Sequence, residues 1–175
     1  MTVILKFGGS VITDKANPGV IRSGVIAELA AAVAAANKPA VIVHGAGSLG
    51  HPEAKAYGIA DGVSKENARG VYVTHTAVSR LNAEVVAALR EAGVEAVSFH
   101  PFSSALAENG RLVFCGEEQI SCLLAAGIIP VLHGDVVLDR TRGGCIVSGD
   151  QIVPYLAKAL RAEAVGIVTA TGGVL

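Results

Sequence analysis

Short apolar runs that stop at glycine, each followed by a longer stretch with helical spacing, constrain this chain more than any other feature. Thr2 to Phe7 ends at Gly8-Gly9-Ser10, and Ala40 to His44 ends at Gly45-Ala-Gly-Ser-Leu-Gly50. Glu95 to Phe99, Ile128 to Leu132 and Val165 to Val168 are further runs of the same kind. Their length suits buried strands, and strands alternating with helices predict a parallel sheet, because each crossover carries the chain back over one face. After Ser23, a predicted N-cap, Val25, Ile26, Leu29 and Val33 recur at helical spacing to about Ala36. Val78, Leu81, Val85 and Leu89 mark one face of a helix over Val71 to Ala92, which Gly93 ends. Glu117 to Ala126 is helical too.

The remaining signals are local. Asn109-Gly110 is a turn before a strand over Arg111 to Cys115. Val136 to Leu138 and Cys145 to Val147 flank the loop 139–144 and predict a hairpin. Ser148-Gly-Asp-Gln151 has capping-box form and opens a helix to about Arg161. The expected fold is therefore α/β, a mainly parallel sheet with helices on both faces. The 175 residues form one domain, 1–175, of ordinary size.

Composition removes several function classes. A chain that is 51% hydrophobic and 17% charged is not disordered. Fourteen Lys plus Arg against fifteen Asp plus Glu leave a net charge of -1, without the basic excess of a nucleic-acid surface. No apolar run reaches the ~18–20 residues that span a bilayer, and Lys6 with two glycines stands where a secretory leader would be apolar. Cys115, Cys122 and Cys145 form no CxxC pair and no zinc spacing; all three are expected to be small buried hydrophobes in a reducing cytoplasm.

The chemistry lies in the glycine turns. A glycine loop at a strand end lets backbone N–H groups approach a phosphate, and a helix start behind it adds partial positive charge. Gly45 to Gly50 matches GxGxxG, yet no acid ends a strand about 20 residues on, as a dinucleotide fold requires. His51-Pro52 follows where a P-loop needs Lys-Ser/Thr. A loop ending in histidine remains, paired with Lys6 and Lys15. Phosphoryl transfer is catalysed mainly by cations and N–H donors placed around the moving group, so this set suits it. His51-Pro52 also suits a helix start. His75, His100 and His133 are expected to be structural, and Asp135 is left open between a loop acid and a functional one.

Lys6-Phe-Gly-Gly-Ser10, Lys15, His44 to Pro52, Gly134 to Asp139 and Val147 to Ile152 together resemble the amino acid kinase superfamily, and within it the isopentenyl phosphate kinases. Gly-Ala-Gly-Ser-x-Gly-His is the part specific to the phosphate-accepting subgroup. The resemblance implies that Lys6, Gly8, Gly9, Ser10, Gly47 and Thr169 line the nucleotide, and that Lys15 stabilises the transferring group. It further implies that Ala46, Gly47, Gly50, His51 and Gly149 hold the acceptor phosphate, and that Asp150 orients the lysines. ATP and Mg2+ would serve the transfer of a phosphoryl group to isopentenyl phosphate, in a cytoplasmic homodimer that binds neither nucleic acid nor membrane. Relatives continue after the last strand with a Thr-Asp-x-Asp-Gly-Val segment and a further block forming the adenine pocket. Here Thr169-Ala-Thr-Gly-Gly-Val174 lacks both acids. The expectation is the acceptor-binding part of the fold, with most of the C-terminal ATP-binding part absent. Two other functions stay open: a phosphate-binding or oligomerisation module without turnover, and a kinase of the same superfamily acting on another phosphate or phosphonate.

Overall fold

Five apolar runs pair into one sheet. The computed structural model, which describes residues 2–170, contains β1 (Val3–Phe7), α1 (Gly9–Ile12), α2 (Ser23–Ala36), β2 (Ala40–His44), α3 (Gly47–Ala56) and α4 (Ala68–Glu91). There follow β3 (Ala96–Ser98), α5 (Pro101–Ser104), β4 (Leu106–Glu108), β5 (Arg111–Phe114), α6 (Glu117–Ala125) and β6 (Ile129–His133). The chain then forms β7 (Asp135–Asp139), β8 (Gly143–Val147), α7 (Gly149–Ala159) and β9 (Ala164–Val168). The main sheet has the order β3-β6-β2-β1-β9 and is parallel at every pairing.

Alternation along the strands divides the core in two. Phe7, Ile42 and Val131 face α2 and α4, where they meet Ile26, Val33, Leu81, Val85 and Leu89. Ile4, Val41, Val43 and Leu132 face the other way, onto Ile120 of α6 and Ile152, Val153 and Leu156 of α7. Helices thus cover both faces, as a parallel sheet demands. Fully burying each such Leu or Ile stabilises the fold by about 1.5–3 kcal/mol.

A second sheet, in the order β5-β4-β7-β8, packs its Ala107, Val137 and Val147 into the same core as α7. The sequence predicted the β7–β8 hairpin and a turn before β5, but not the pairing of β4 that joins them. Asp139 supplies the link. Its carboxylate accepts hydrogen bonds from Asn109 N and Gly110 N on one turn, and from Thr141 N, Thr141 Oγ1 and Arg142 N on the other. Burial works against the charge, but these donors outweigh it and hold the Asp139 carboxyl below the usual range.

Several local expectations need correction. Arg22 caps α2, so Ser23 is already helical, and Ser148 caps α7 by position without a side-chain hydrogen bond. Cys122 is exposed on the outer side of α6, whereas Cys115 and Cys145 are buried, with thiols pushed up to about 12 and about 11 chiefly by that burial. The helix at the second glycine loop begins at Gly47, so Pro52 lies inside it and not at its start. The short α1 and the strand β4 carried no signal long enough to read.

Candidate active site

Parallel pairing in register decides where the two glycine turns go. Phe7 is the register partner of His44, and His44 that of His133, so β1, β2 and β6 all end at one edge of the sheet. Ligands of open α/β sheets sit beyond those carboxyl ends. Here the turns touch. A Cβ on Gly9 would lie 2.5 Å from the Gly47 nitrogen, and one on Gly45 would lie 2.8 Å from the Gly9 nitrogen. Gly47 also has a φ of 58°, which only glycine adopts readily.

A polar clamp fixes the contact. The Thr13 hydroxyl donates to the Gly9 carbonyl at 2.7 Å and accepts from Ser48 N at 3.0 Å, joining the end of α1 to the first turn of α3. Thr13 is fully buried. Nothing in the local pattern marks it, since an isolated threonine after a glycine turn has no motif.

Beside the turns opens a cleft of about 650 Å³. Lys6, Gly9, Ser10, Lys15, Ala46, Gly47, Gly50, His51, Gly149 and Asp150, all expected from the sequence, line it. Gly8 and Thr169 do not: they pack against one another next to it, a Cβ on Gly8 standing 3.8 Å from Thr169 Cα. The expected departure at Thr169–Val174 extends into residues 171–175, outside the described residues.

The electrostatics favour an anion. The N-termini of α3 and α7 both border the cleft, each offering unpaired N–H groups and partial positive charge. The Lys6 ammonium, mostly buried, is held 2.6 Å from Asp150 Oδ1 on the first turn of α7. Lys15 and His51 are exposed at the rim, free to approach a ligand.

The same cleft also has apolar lining: Ala54 of α3, Val78 of α4 and Ile146 of β8 make an apolar wall, with Thr74 among them. The long helix α4 contributes Val78 and Thr74 to this wall. Asp135, left open above, is buried in the floor, where its Oδ2 accepts from His75 Nδ1 at 2.8 Å. That bond raises the His75 pKa against its partial burial. Buried His44 and His133, with half-buried His100, lie beyond it as a polar array.

Comparison with known proteins agrees with this geometry. The model of the amino acid kinase family matches residues 1–175. Isopentenyl phosphate kinase of Haloferax volcanii is 41% identical over 175 residues, which are 99% of this chain and 71% of that protein. The enzyme of the same name from Methanocaldococcus jannaschii is 36% identical, over 100% of this chain and 71% of its own. A solved isopentenyl phosphate kinase structure superposes with a TM-score of 0.92 at 36% identity, covering 99% of this chain and 74% of that one. With the whole length matched and both glycine turns meeting at one cleft, the chain belongs to the amino acid kinase family.

Proposed function

We propose that the chain transfers the γ-phosphoryl group of ATP to isopentenyl phosphate, giving isopentenyl diphosphate and ADP. One observation carries the reading: a single cleft is lined both by anion-attracting groups, namely two glycine turns, two helix N-termini, Lys6, Lys15 and His51, and by the apolar side chains Ala54, Val78 and Ile146. A small phosphate ester with a hydrocarbon tail has the same two halves. Kinase relatives at 41% and 36% identity carry the name of that substrate.

In this reading a phosphate oxygen of the acceptor attacks the γ-phosphorus while the bond to the β,γ-bridging oxygen breaks and ADP leaves. The acceptor is already ionised at neutral pH, so no general base is required. The obstacle is repulsion between two anions. His51 and the N–H groups of Ala46, Gly47 and Gly50 hold the acceptor phosphate, with Gly149 beside it. Lys6 and the main chain at Gly8, Gly9 and Ser10 take the nucleotide phosphates, with Thr169 adjoining, and Lys15 neutralises charge on the transferring group. Asp150 holds Lys6 in place. These residues belong to the acceptor-binding part of the fold, which is the part we assign to this chain.

Magnesium fits only as a companion of the phosphates. The carboxylates lining the cleft are Asp150, paired with Lys6, and Asp135, paired with His75, and no cluster of three ligating side chains occurs among the described residues. Such an ion is commonly held by one or two carboxylates plus phosphate oxygens. Asp150, the exposed one, would hold it, and bound there it would screen phosphate charge.

The resemblance also supports pairing of two copies through the acceptor half. The unpaired thiols support a cytoplasmic setting, and among the described residues no helix is long and apolar enough to cross a membrane. The deciding experiment is a coupled ADP-release assay with a panel of acceptors. ADP release dependent on isopentenyl phosphate is expected. Binding without release would instead mark a phosphate-binding module, and a phosphonate that outcompetes isopentenyl phosphate would mark a different acceptor.

A further inference from the structure

Under the cleft floor two buried histidines make the same unusual contact. His44 Nδ1 lies 3.1 Å from the carbonyl oxygen of the next residue, Gly45, and His133 Nδ1 lies 3.2 Å from that of Gly134. Neither side chain is exposed. The rings stack with centroids 5.4 Å apart, and Gly134 N donates to the His44 carbonyl at 3.0 Å.

Neighbouring groups fix where the protons sit. The Asn82 amide nitrogen approaches His44 Nε2 at 3.2 Å and the Val131 carbonyl at 3.1 Å. A carbonyl only accepts, so the amide nitrogen is a donor to both, and His44 Nε2 is a bare acceptor. The His44 proton is then on Nδ1, where it donates to Gly45 O. By the same logic His133 donates through Nδ1 and accepts from His100 Nδ1 at 2.9 Å. Burial pushes the His44 pKa down to about 4, which keeps this neutral form at physiological pH.

The consequence is geometric. A trans peptide is planar, with its C=O and the following N–H pointing in opposite directions. Holding the Gly45 oxygen down onto a buried imidazole turns the Ala46 N–H up, toward the cleft that Gly45 and Ala46 line. That N–H has no hydrogen-bond partner among the described residues. We propose that His44 is a positioning residue, whose Nδ1–H locks the Gly45–Ala46 peptide so that the Ala46 N–H is presented to a bound phosphate. His133 buttresses it from the adjoining strand. This deepens, and rests on, the reading of the cleft as a phosphate site.

Histidine-selective 15N NMR of the wild-type chain between pH 5 and 8 should show His44 protonated on Nδ1 and bare on Nε2 throughout. An Nε2–H tautomer overturns the proposal. Isopentenyl phosphate, ATP and inorganic phosphate are then titrated while the Ala46 amide resonance is followed. At least one should shift it, and no shift with any of the three overturns the proposal. His44→Asn keeps a donor near Nδ1, whereas His44→Phe keeps a ring without one. His44→Phe should weaken the anion that shifts Ala46 by about tenfold to a hundredfold, with His44→Asn within about threefold of wild type. Equal losses in the two variants, or none in either, overturn it. A wild-type chain that shifts Ala46 with phosphate but releases no ADP sinks the kinase reading and supports the positioning role.

Discussion

Gly9 and Gly47 pack main chain to main chain, so closely that a methyl group on Gly9 would lie 2.5 Å from the Gly47 nitrogen and 2.6 Å from its Cα. Neither neighbour is a side chain that can swing away. Gly9→Ala therefore pushes the two turns apart, and misplacing reacting groups by about 1 Å costs on the order of 100-fold in rate. kcat/KM should fall by that factor while circular dichroism still reports a folded chain. Full activity in Gly9→Ala would mean that the contact has no part in catalysis.

Thr13 makes a second test of the same junction. Thr13→Val keeps the shape but removes the hydroxyl shared by Gly9 O and Ser48 N, leaving a helix-terminal N–H without a partner. Stability measured by urea denaturation should drop by about 1–3 kcal/mol. Thr13→Ser should recover most of the loss, and its failure to do so would assign the effect to the methyl group.

His51 stands exposed at the cleft rim, so its removal leaves no hole in the core. His51→Ala should raise the KM for isopentenyl phosphate by the equivalent of about 1.5–3 kcal/mol, the scale of a charge-assisted hydrogen bond. The KM for ATP should barely move. Unchanged acceptor affinity removes His51 from the site.

Asp150 is 76% exposed although its partner Lys6 is only 13% exposed. An ion pair so open to solvent adds little to stability, under about 1 kcal/mol. Asp150→Asn should accordingly leave the urea midpoint nearly unchanged while kcat falls about tenfold, because the Lys6 ammonium loses its anchor. A variant that unfolds but keeps its kcat would reverse that assignment.

Acid should unfold the protein through its buried imidazoles. Burial holds His44 down to about 4 and, with His44 alongside, His133 down to about 3. The unfolded chain takes up these protons below about 6.5 and the folded chain does not. Stability is therefore full above pH 6.5 and declines as pH falls toward 4, by about 1.4 kcal/mol per pH unit for each histidine. His75 has the opposite sign. Its pKa is raised by the hydrogen bond to Asp135, so its contribution is present below 6.5 and is lost as pH rises through the folded value. Urea midpoints between pH 5 and 7.5 should slope less steeply in His44→Asn by about one proton. An identical slope in the variant would show that His44 titrates normally.

The strands and long helices could be read because each carries a full period of burial. Val78, Leu81, Val85 and Leu89 are all fully buried or nearly so, as their spacing requires. The glycine turns were legible too, since glycine after an apolar run has few other uses. The contact between them was not, for it depends on the register of Phe7 with His44, which no local pattern encodes. Thr13 and the roles of Asp135 and His44 could not be read for a related reason. Each acts through one partner distant in sequence or through its own peptide, and a lone polar residue beside an apolar strand looks the same whether it anchors a turn or is merely buried. Caps failed where backbone replaced side chain: Gln151 N bonds to the Ser148 carbonyl, not to its hydroxyl.

The donors that face the cleft at Ala46, Gly47 and the start of α7 are peptide N–H groups, and a peptide N–H survives every point mutation except one to proline. Genetic drift can crowd such a donor but deletes it by that one route alone. The wall at Ala54, Val78 and Ile146 is made of side chains and enjoys no such protection. Descendants of this chain should therefore keep their appetite for phosphate while the tail attached to that phosphate changes, which makes the choice of ester the easily evolved property and the handling of charge the conservative one.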